Sequence, residues 1–449
     1  MNDQRMVPMK RLLTFCEVLM TLLLACCFAQ AENTLTLTPE AMKTAYFAEI
    51  PGETFVVITY RTPYEKGCFT DYASDGAFSG EIALTSSGEG GNVYVEVQSL
   101  IGKVLAKQQV NLPQAEGFAK PRGNSNVRVR EFTLTETPEG FDYAFTAEGA
   151  DYMVLDCHSR QEDRSVVAYP VDDAGHFAGS VTMPLTYART QMTIRVETGT
   201  GAKKAEAICY KGYEAPEAPE QTPGRLSGVI VCIDPGHQEN GKAVSEPKGP
   251  GLDGYGGGTD VGMAMGNHTL RREHIVVLEI SMKLRDVLLS QGATVLMTRT
   301  EVDVFLTNQE RAAVANDAGA HVYLRIHADY ANSPDRWGMS VYCPRNSDYA
   351  KAVADPETYA HMGQIILDHM KQAVGYDISN DSGRVTVTDQ FIGNNWAKPA
   401  CFLVETGYMS NREEDLKLAH PAYQQMIAAG LADGVYALAL DRGWIAAGE

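Results

Sequence analysis

Basic charge is scarce in this chain. Lysine and arginine total 38 against 57 aspartates and glutamates, a net charge of −19. With no basic stripe to offset it, general nucleic-acid binding is excluded. Thiol pairs are missing too: nine cysteines contain no CxxC, which excludes a thiolate zinc site. Cys232 and Cys401 sit inside apolar strand patterns and read as buried thiols. Cys157 and Cys209 fall in one segment, where a bridge between them is left open. Gly256-Gly257-Gly258 is not followed by Gly-Lys-Ser/Thr, so it is no phosphate-binding loop. Beyond the first apolar run, no segment is long and apolar enough to cross a bilayer.

That first run has the features of an export signal. Lys10 and Arg11 precede an apolar stretch from Leu12 to Phe28, and Ala29-Gln30-Ala31 supplies a small-x-small cleavage site. Residues 1–31 are therefore read as a signal peptide and the rest as extracytoplasmic. Leu23-Leu24-Ala25-Cys26 resembles a lipobox, which would make Cys26 a lipidated N-terminus.

Residues 33 to about 213 contain an internal repeat. Phe55–Arg61 aligns without gaps to Val154–Arg160 at an offset of 99 positions. The same offset carries Phe78-Ser79-Gly80 onto Phe177-Ala178-Gly179, and Val93, Val95 and Gly102 onto Met192, Ile194 and Gly201. Alternation such as Val93-Tyr94-Val95-Glu96-Val97 has the period of half-buried strands. Two all-β sandwich-like modules are expected, at 33–112 and 125–213. Neither holds a catalytic cluster. They serve either as spacers or as attachment to a polymer or cell surface. Spaced prolines and acids make 214–225 an extended linker.

From 226 to 449 the pattern alternates strand and helix, which predicts an α/β doubly wound domain. Val229–Ile233 is a buried-strand run, broken by Asp234-Pro235-Gly236. His237 is thereby delivered to the carboxyl edge of the sheet, where open α/β folds keep their ligands. His327 ends a second apolar strand, and Glu273 opens the helix between them, at the same edge. Two histidines and one glutamate form a ligand set for catalytic zinc with a fourth position for water. The chain has ten histidines, so spacing alone does not single these out. Glu405 ends a third strand, either as a cap or loop partner or as a general base. A carboxylate beside a metal-activated water would serve as that base.

The stretch from Val229 to Leu440 resembles the zinc-dependent N-acetylmuramoyl-L-alanine amidases of the type 3 amidase family. The motifs are Ile233–His237, Arg272-Glu273-His274, Arg299-Thr300 with Glu310-Arg311-Ala312, Arg325–Asp329 and Leu403–Asn411. The resemblance implies one zinc held by His237, Glu273 and His327, with Glu405 as catalytic acid/base. The implied substrate is peptidoglycan, at the amide joining N-acetylmuramic acid to L-alanine of the stem peptide. His274 and Asp329 stand where the family often has Lys and Asn, and neither change removes a ligand. Asn395 and Arg384 are candidate substrate contacts, Arg384 for a stem-peptide carboxylate. Arg311 reads as half of a buried ion pair. Rival readings are a zinc peptidase acting on the stem peptide, a two-carboxylate muramidase and a non-catalytic wall-binding protein.

Overall fold

The computed structural model describes residues 32–446, except 117–125, 138, 160–161, 184–190, 200, 211–214, 240–243, 257–262, 303 and 377–382. The expected signal peptide, with Cys26 and Ala31, lies outside these residues. So does the side chain of Cys209, and with it any bridge to Cys157. Among the described residues no helix is long and apolar enough to cross a membrane.

The N-terminal region is all sheet. Strands β1 (Thr34–Glu40), β2 (Lys43–Glu49) and β5 (Ala77–Ala83) form one three-stranded sheet, in the order β1-β2-β5. Strands β8 (Arg130–Thr137), β9 (Gly140–Thr146) and β12 (His176–Thr182) form another, in the order β12-β9-β8. Between them run β3 (Phe55–Arg61), β4 (Glu65–Tyr72), β6 (Gly91–Gln98) and β7 (Val104–Leu112), followed by β10 (Met153–His158), β11 (Glu162–Ala168), β13 (Gln191–Glu197) and β14 (Lys203–Tyr210). These eight make one continuous sheet, β14-β13-β10-β11-β4-β3-β6-β7. Alternate residues of β6, Val93, Val95 and Val97, are fully buried, as the two-residue period demands.

The halves of that sheet meet where β11 pairs antiparallel with β4, with Arg164 opposite Glu65. The Arg164 guanidinium is buried between Glu65 (2.5 Å) and Glu162 (2.9 Å). Pairing at this seam protects two strand edges that would otherwise invite aggregation. Removing one member would strand a buried charge, which typically costs about 3–5 kcal/mol.

The prolyl strip after the β region is not free in solution. The carbonyls of Pro216 and Glu217 accept from Arg285 Nη2, and Gln221 donates to the carbonyl of Gly292. Arg225 pairs with Asp433. The strip is thus laid along the following domain.

That domain is built on a six-stranded sheet: β15 (Ile230–Pro235), β18 (Thr294–Met297), β19 (Val322–Asp329), β20 (Ser340–Cys343), β21 (Val385–Val387) and β22 (Ala400–Tyr408). Its order is β18-β15-β19-β22-β20-β21. The first four strands are parallel, whereas β20 runs antiparallel to β22. The sheet is therefore mixed rather than purely parallel. A small ribbon, β16 (Glu246–Pro247) with β17 (Tyr255–Gly256), stands above it.

Helices cover both faces. One face carries α1 (Glu273–Ser290), α4 (Pro356–Ala373) and α7 (Pro421–Asp441) over Val322, Leu324 and Ile326. The other carries α2 (Asn308–Asp317), with α5 (Ile392–Asn395), over Cys232, Tyr323 and Cys401. The short helices α3 (Asp348–Val353) and α6 (Arg412–Leu418) complete the domain. The capping box of Thr307 and Glu310 starts α2 and satisfies two otherwise orphaned backbone donors. Phe55 of β3 packs edge-on against His420 and Tyr423, and Arg412 bonds the carbonyl of Leu100 at 2.7 Å. The first β module is thereby seated on the α/β domain.

Glu414, buried in α6, accepts from the backbone of Gly338 and Tyr408 and from the Tyr376 hydroxyl. Burial pushes its carboxyl up from 4.5 to about 7. Between these values the folded chain holds a proton that the unfolded chain has lost. This contribution is complete below pH 4.5 and disappears as pH rises through 7, a change on the order of 3 kcal/mol. Glu414→Gln is expected to flatten the decline of stability over that interval, measured by urea denaturation at a series of pH values. An unchanged slope would show that burial does not hold the proton.

Candidate metal centre

His237, Glu273 and His327 meet at the carboxyl edge of the parallel strands, and their ligand atoms all lie within 4.8 Å of one another. His237 Nε2 is 3.2 Å from Glu273 Oε2, and His327 Nδ1 is 3.2 Å from Glu273 Oε1. The two rings cross nearly at right angles, 4.8 Å between centroids. Each group reaches this point by a different local device.

His237 follows β15 with a φ of 57°, left-handed backbone that a non-glycine residue adopts at a cost. The turn that aims its ring is held by Arg311, which donates to the carbonyls of Pro235 and His237 and to Gln238 Oε1. Gly236 has no side chain for a steric reason. A Cβ there would lie 2.4 Å from His327 Cε1. His327 sits where the pairing of β19 with β22 shifts register, between His327 and Asp329. Such irregularities re-aim side chains. Glu273 is the first residue of α1, and both its oxygens accept backbone bonds, from Ala264 at 2.8 Å and Ala328 at 3.1 Å.

Burial alone would raise the Glu273 carboxyl, but His237 and His327 hold it well below the ordinary range. Burial lowers the His327 imidazole. A divalent metal would bind the deprotonated carboxylate and the neutral rings of this set. His327 Nε2 is buried without a hydrogen-bond partner among the described residues. A lone pair kept from water in this way suits a metal ligand and little else. The donor set therefore fits one divalent ion, with zinc the natural occupant of two imidazoles and a carboxylate.

Glu405 stands beside this group, directly opposite His327 in the β19–β22 register. It is half-buried, and its Oε2 has no hydrogen-bond partner among the described residues. Burial, reinforced by Glu273 and Asp329 and opposed by Arg325, pushes its carboxyl well above the ordinary value.

Beneath the site, Asp234 anchors the sheet. It receives Thr298 Oγ1 (2.6 Å), Arg311 (2.7 Å), Tyr323 Oη (3.0 Å) and Arg325 Nε (2.9 Å). Burial pushes its carboxyl up, but Arg311 and Arg325 outweigh this and hold it well below the usual range. Arg311 is indeed half of a buried ion pair, fully inaccessible to solvent.

The two candidate substrate contacts are placed elsewhere. Asn395 is fully buried, its amide donating to the carbonyls of Lys248 and Asp389. It pins a loop and does not line the cleft. Arg384 is exposed at the strand edge, its backbone tied to Ser340 and Val341, and it too lies outside the cavity lining. Neither residue is among those that line the cavity. His274 points away from the centre, to Met263 and Glu239. His321 accepts from the backbone of Ile230, His361 bonds Asp441, and His369 bonds the carbonyl of Ile365.

The centre opens into a cavity of about 430 Å³. Beyond His237, Glu273, His327 and Glu405 it is lined by Arg325, Asn308, Lys248 and Phe391, among others. Reasoning from sequence missed Arg325 here. Its signal was available: a charged residue inside an otherwise apolar strand, two positions before His327.

Residues 231–437 match the family model of the N-acetylmuramoyl-L-alanine amidases. The N-acetylmuramoyl-L-alanine amidase AmiA of Salmonella typhimurium is 26% identical over 265 residues, covering 52% of this chain and 83% of that protein. The germination-specific N-acetylmuramoyl-L-alanine amidase of Bacillus subtilis is 27% identical over 233 residues, covering 49% and 83%. The crystal structure of the amidase Ami1 from Mycobacterium smegmatis superposes with a TM-score of 0.42 at 22% identity, over 47% of this chain and 97% of that one. Over residues 231–437 this chain is thus similar to the type 3 N-acetylmuramoyl-L-alanine amidases.

Proposed function

We propose that residues 226–449 hydrolyse the amide between N-acetylmuramic acid and the L-alanine of peptidoglycan stem peptides. The observation that carries this reading is the convergence of His237, Glu273 and His327 within 4.8 Å at the floor of an open cavity, with Glu405 beside them. These three residues would hold zinc. When bound, the ion supplies Lewis acidity, lowering the pKa of water and polarising the scissile carbonyl.

The remaining steps fall to the chain's own groups. Glu405 takes the proton of the attacking water on its carboxylate and later passes it to the departing alanine nitrogen. Its elevated proton affinity suits the second half of that cycle, since it must hold a proton until the amine leaves. Backbone bonds from Ala264 and Ala328 keep Glu273 in place.

We further read 33–112 and 125–213 as ancillary modules, joined through 214–225 to the catalytic domain. In this reading the chain is exported, and the modules hold wall polymer or space the enzyme from its anchor. The acidic chain has no need to bind nucleic acid.

Digestion of purified peptidoglycan by the zinc-loaded full chain tests the assignment. Mass analysis is expected to show intact stem peptides with a free L-alanine amine, and activity is expected to disappear in chelator. Peptides cut internally would point to a peptidase, and chelator-resistant release of sugars to a muramidase.

A further inference from the structure

We propose that the end of the cavity lined by Arg325 and Lys248 is a carboxylate subsite for the peptide side of the scissile bond. The proposal rests on the amidase reading above and adds to it what selects the peptide.

Two cations, Arg325 and Lys248, line this end of the cavity. Asp234 carries a single negative charge and is bonded to two guanidinium groups, Arg311 and Arg325. Arg311 lies wholly inside the protein, whereas Arg325 lines the cavity. Arg325 therefore brings a guanidinium to the cavity wall, with Asp234 beneath it and Glu405 within its electrostatic reach. An anionic ligand group would be a further partner for it.

The Arg325 side chain is also held still. Nε bonds Asp234 (2.9 Å), Nη1 bonds Asn394 Oδ1 (3.1 Å) and Nη2 bonds Asn308 Oδ1 (3.0 Å). These bonds use three of the five N–H groups that a guanidinium carries, and they set its plane. A fixed fork of this kind matches a carboxylate and loses little entropy on binding one. Lys248 adds a second cation at the rim. Its backbone is pinned by Gly254 and Asn395.

Spacing agrees with the direction of the substrate. Arg325 precedes His327 by two residues on the same strand face, roughly 7 Å along the strand. Across the sheet, Leu403 stands opposite Arg325 and Glu405 opposite His327. A peptide whose nitrogen departs near Glu405 can therefore run along β22 toward Arg325. One extended residue spans about 3.5 Å, so an α-carboxylate on the second residue reaches the guanidinium. The opposite rim carries Asp329, which repels an anionic peptide. It tolerates the sugar, whose own carboxyl is consumed in the scissile amide.

The test uses two N-acetylmuramoyl-L-alanyl dipeptides, identical except that the second residue ends in a carboxylate or a carboxamide. With the zinc-loaded full chain, the carboxylate form is expected to give kcat/KM about 10- to 100-fold higher. Arg325→Met is expected to bring the ratio close to one, and Lys248→Met, at the exposed rim, to narrow it about threefold. The wild-type comparison stands even if Arg325→Met fails to fold. Calorimetry of the two L-alanyl dipeptide products on metal-free protein should show the same preference without any chemistry. Equal rates on the two substrates would overturn the subsite and leave the amidase intact. Cleavage of neither would overturn the amidase reading, and the subsite with it.

Discussion

Glu405→Gln is expected to lower kcat by roughly 10²–10⁴-fold, the usual contribution of a positioned acid/base, while the protein still binds one equivalent of zinc. Glutamine keeps the shape and one acceptor oxygen but cannot take a proton from water. Three observations make this the decisive position. The carboxylate stands opposite His327 across the β19–β22 pair. Its Oε2 lacks a hydrogen-bond partner among the described residues, so no scaffold role accounts for it. Its surroundings push its proton affinity up. Loss confined to kcat, with KM little changed, would mark an interaction made in the transition state. Activity within a few fold of wild type would remove Glu405 from the mechanism.

His327→Ala is expected to fail one step earlier, at the metal. Disturbing groups that merely support a ligand costs about 10- to 100-fold in metal affinity, so deleting the ligand should cost more than that. Zinc content, read by elemental analysis after gel filtration, should drop from one equivalent to a small fraction. A second readout needs no catalysis. Zinc at about 100 times its dissociation constant stabilises a folded chain by roughly 2.7 kcal/mol, so the wild-type melting temperature should rise with added zinc. That rise should be missing in His327→Ala. Since the ring of His327 also fills the space above Gly236, the variant's own melting temperature without zinc is the control. Full zinc content in a folded His327→Ala protein would show that the ion is held elsewhere.

The legible part of this protein was local. An apolar run such as Val229–Ile233 can bury only as a central strand, and whatever polar residue follows it must emerge at the sheet edge. That reasoning placed His237 just past a strand and Glu273 at a helix start, where the structure has them, whereas β19 and β22 run on past His327 and Glu405 to Asp329 and Tyr408. It failed for Asn395, because a loop asparagine beside a cleft and one buried under it have the same sequence signature. Only the positions of the Lys248 and Asp389 carbonyls decide between them. Arg384 is exposed just before β21 and is not among the residues that line the cavity.

Sequence alone determined that strand and helix alternate after about residue 226, that a β region precedes them, and which residue types could bind a metal. Those properties follow from hydrophobic period and turn chemistry, which act over a few residues. Tertiary structure decided the rest. It joined β4 to β11 through Arg164, reversed β20 against β22, and set His237 in left-handed backbone beneath Arg311. It also left Asp234 sharing one charge between two arginines. Each of these depends on which distant surfaces come together, and on the charges that burial then forces to pair, so no short stretch of chain could have announced them.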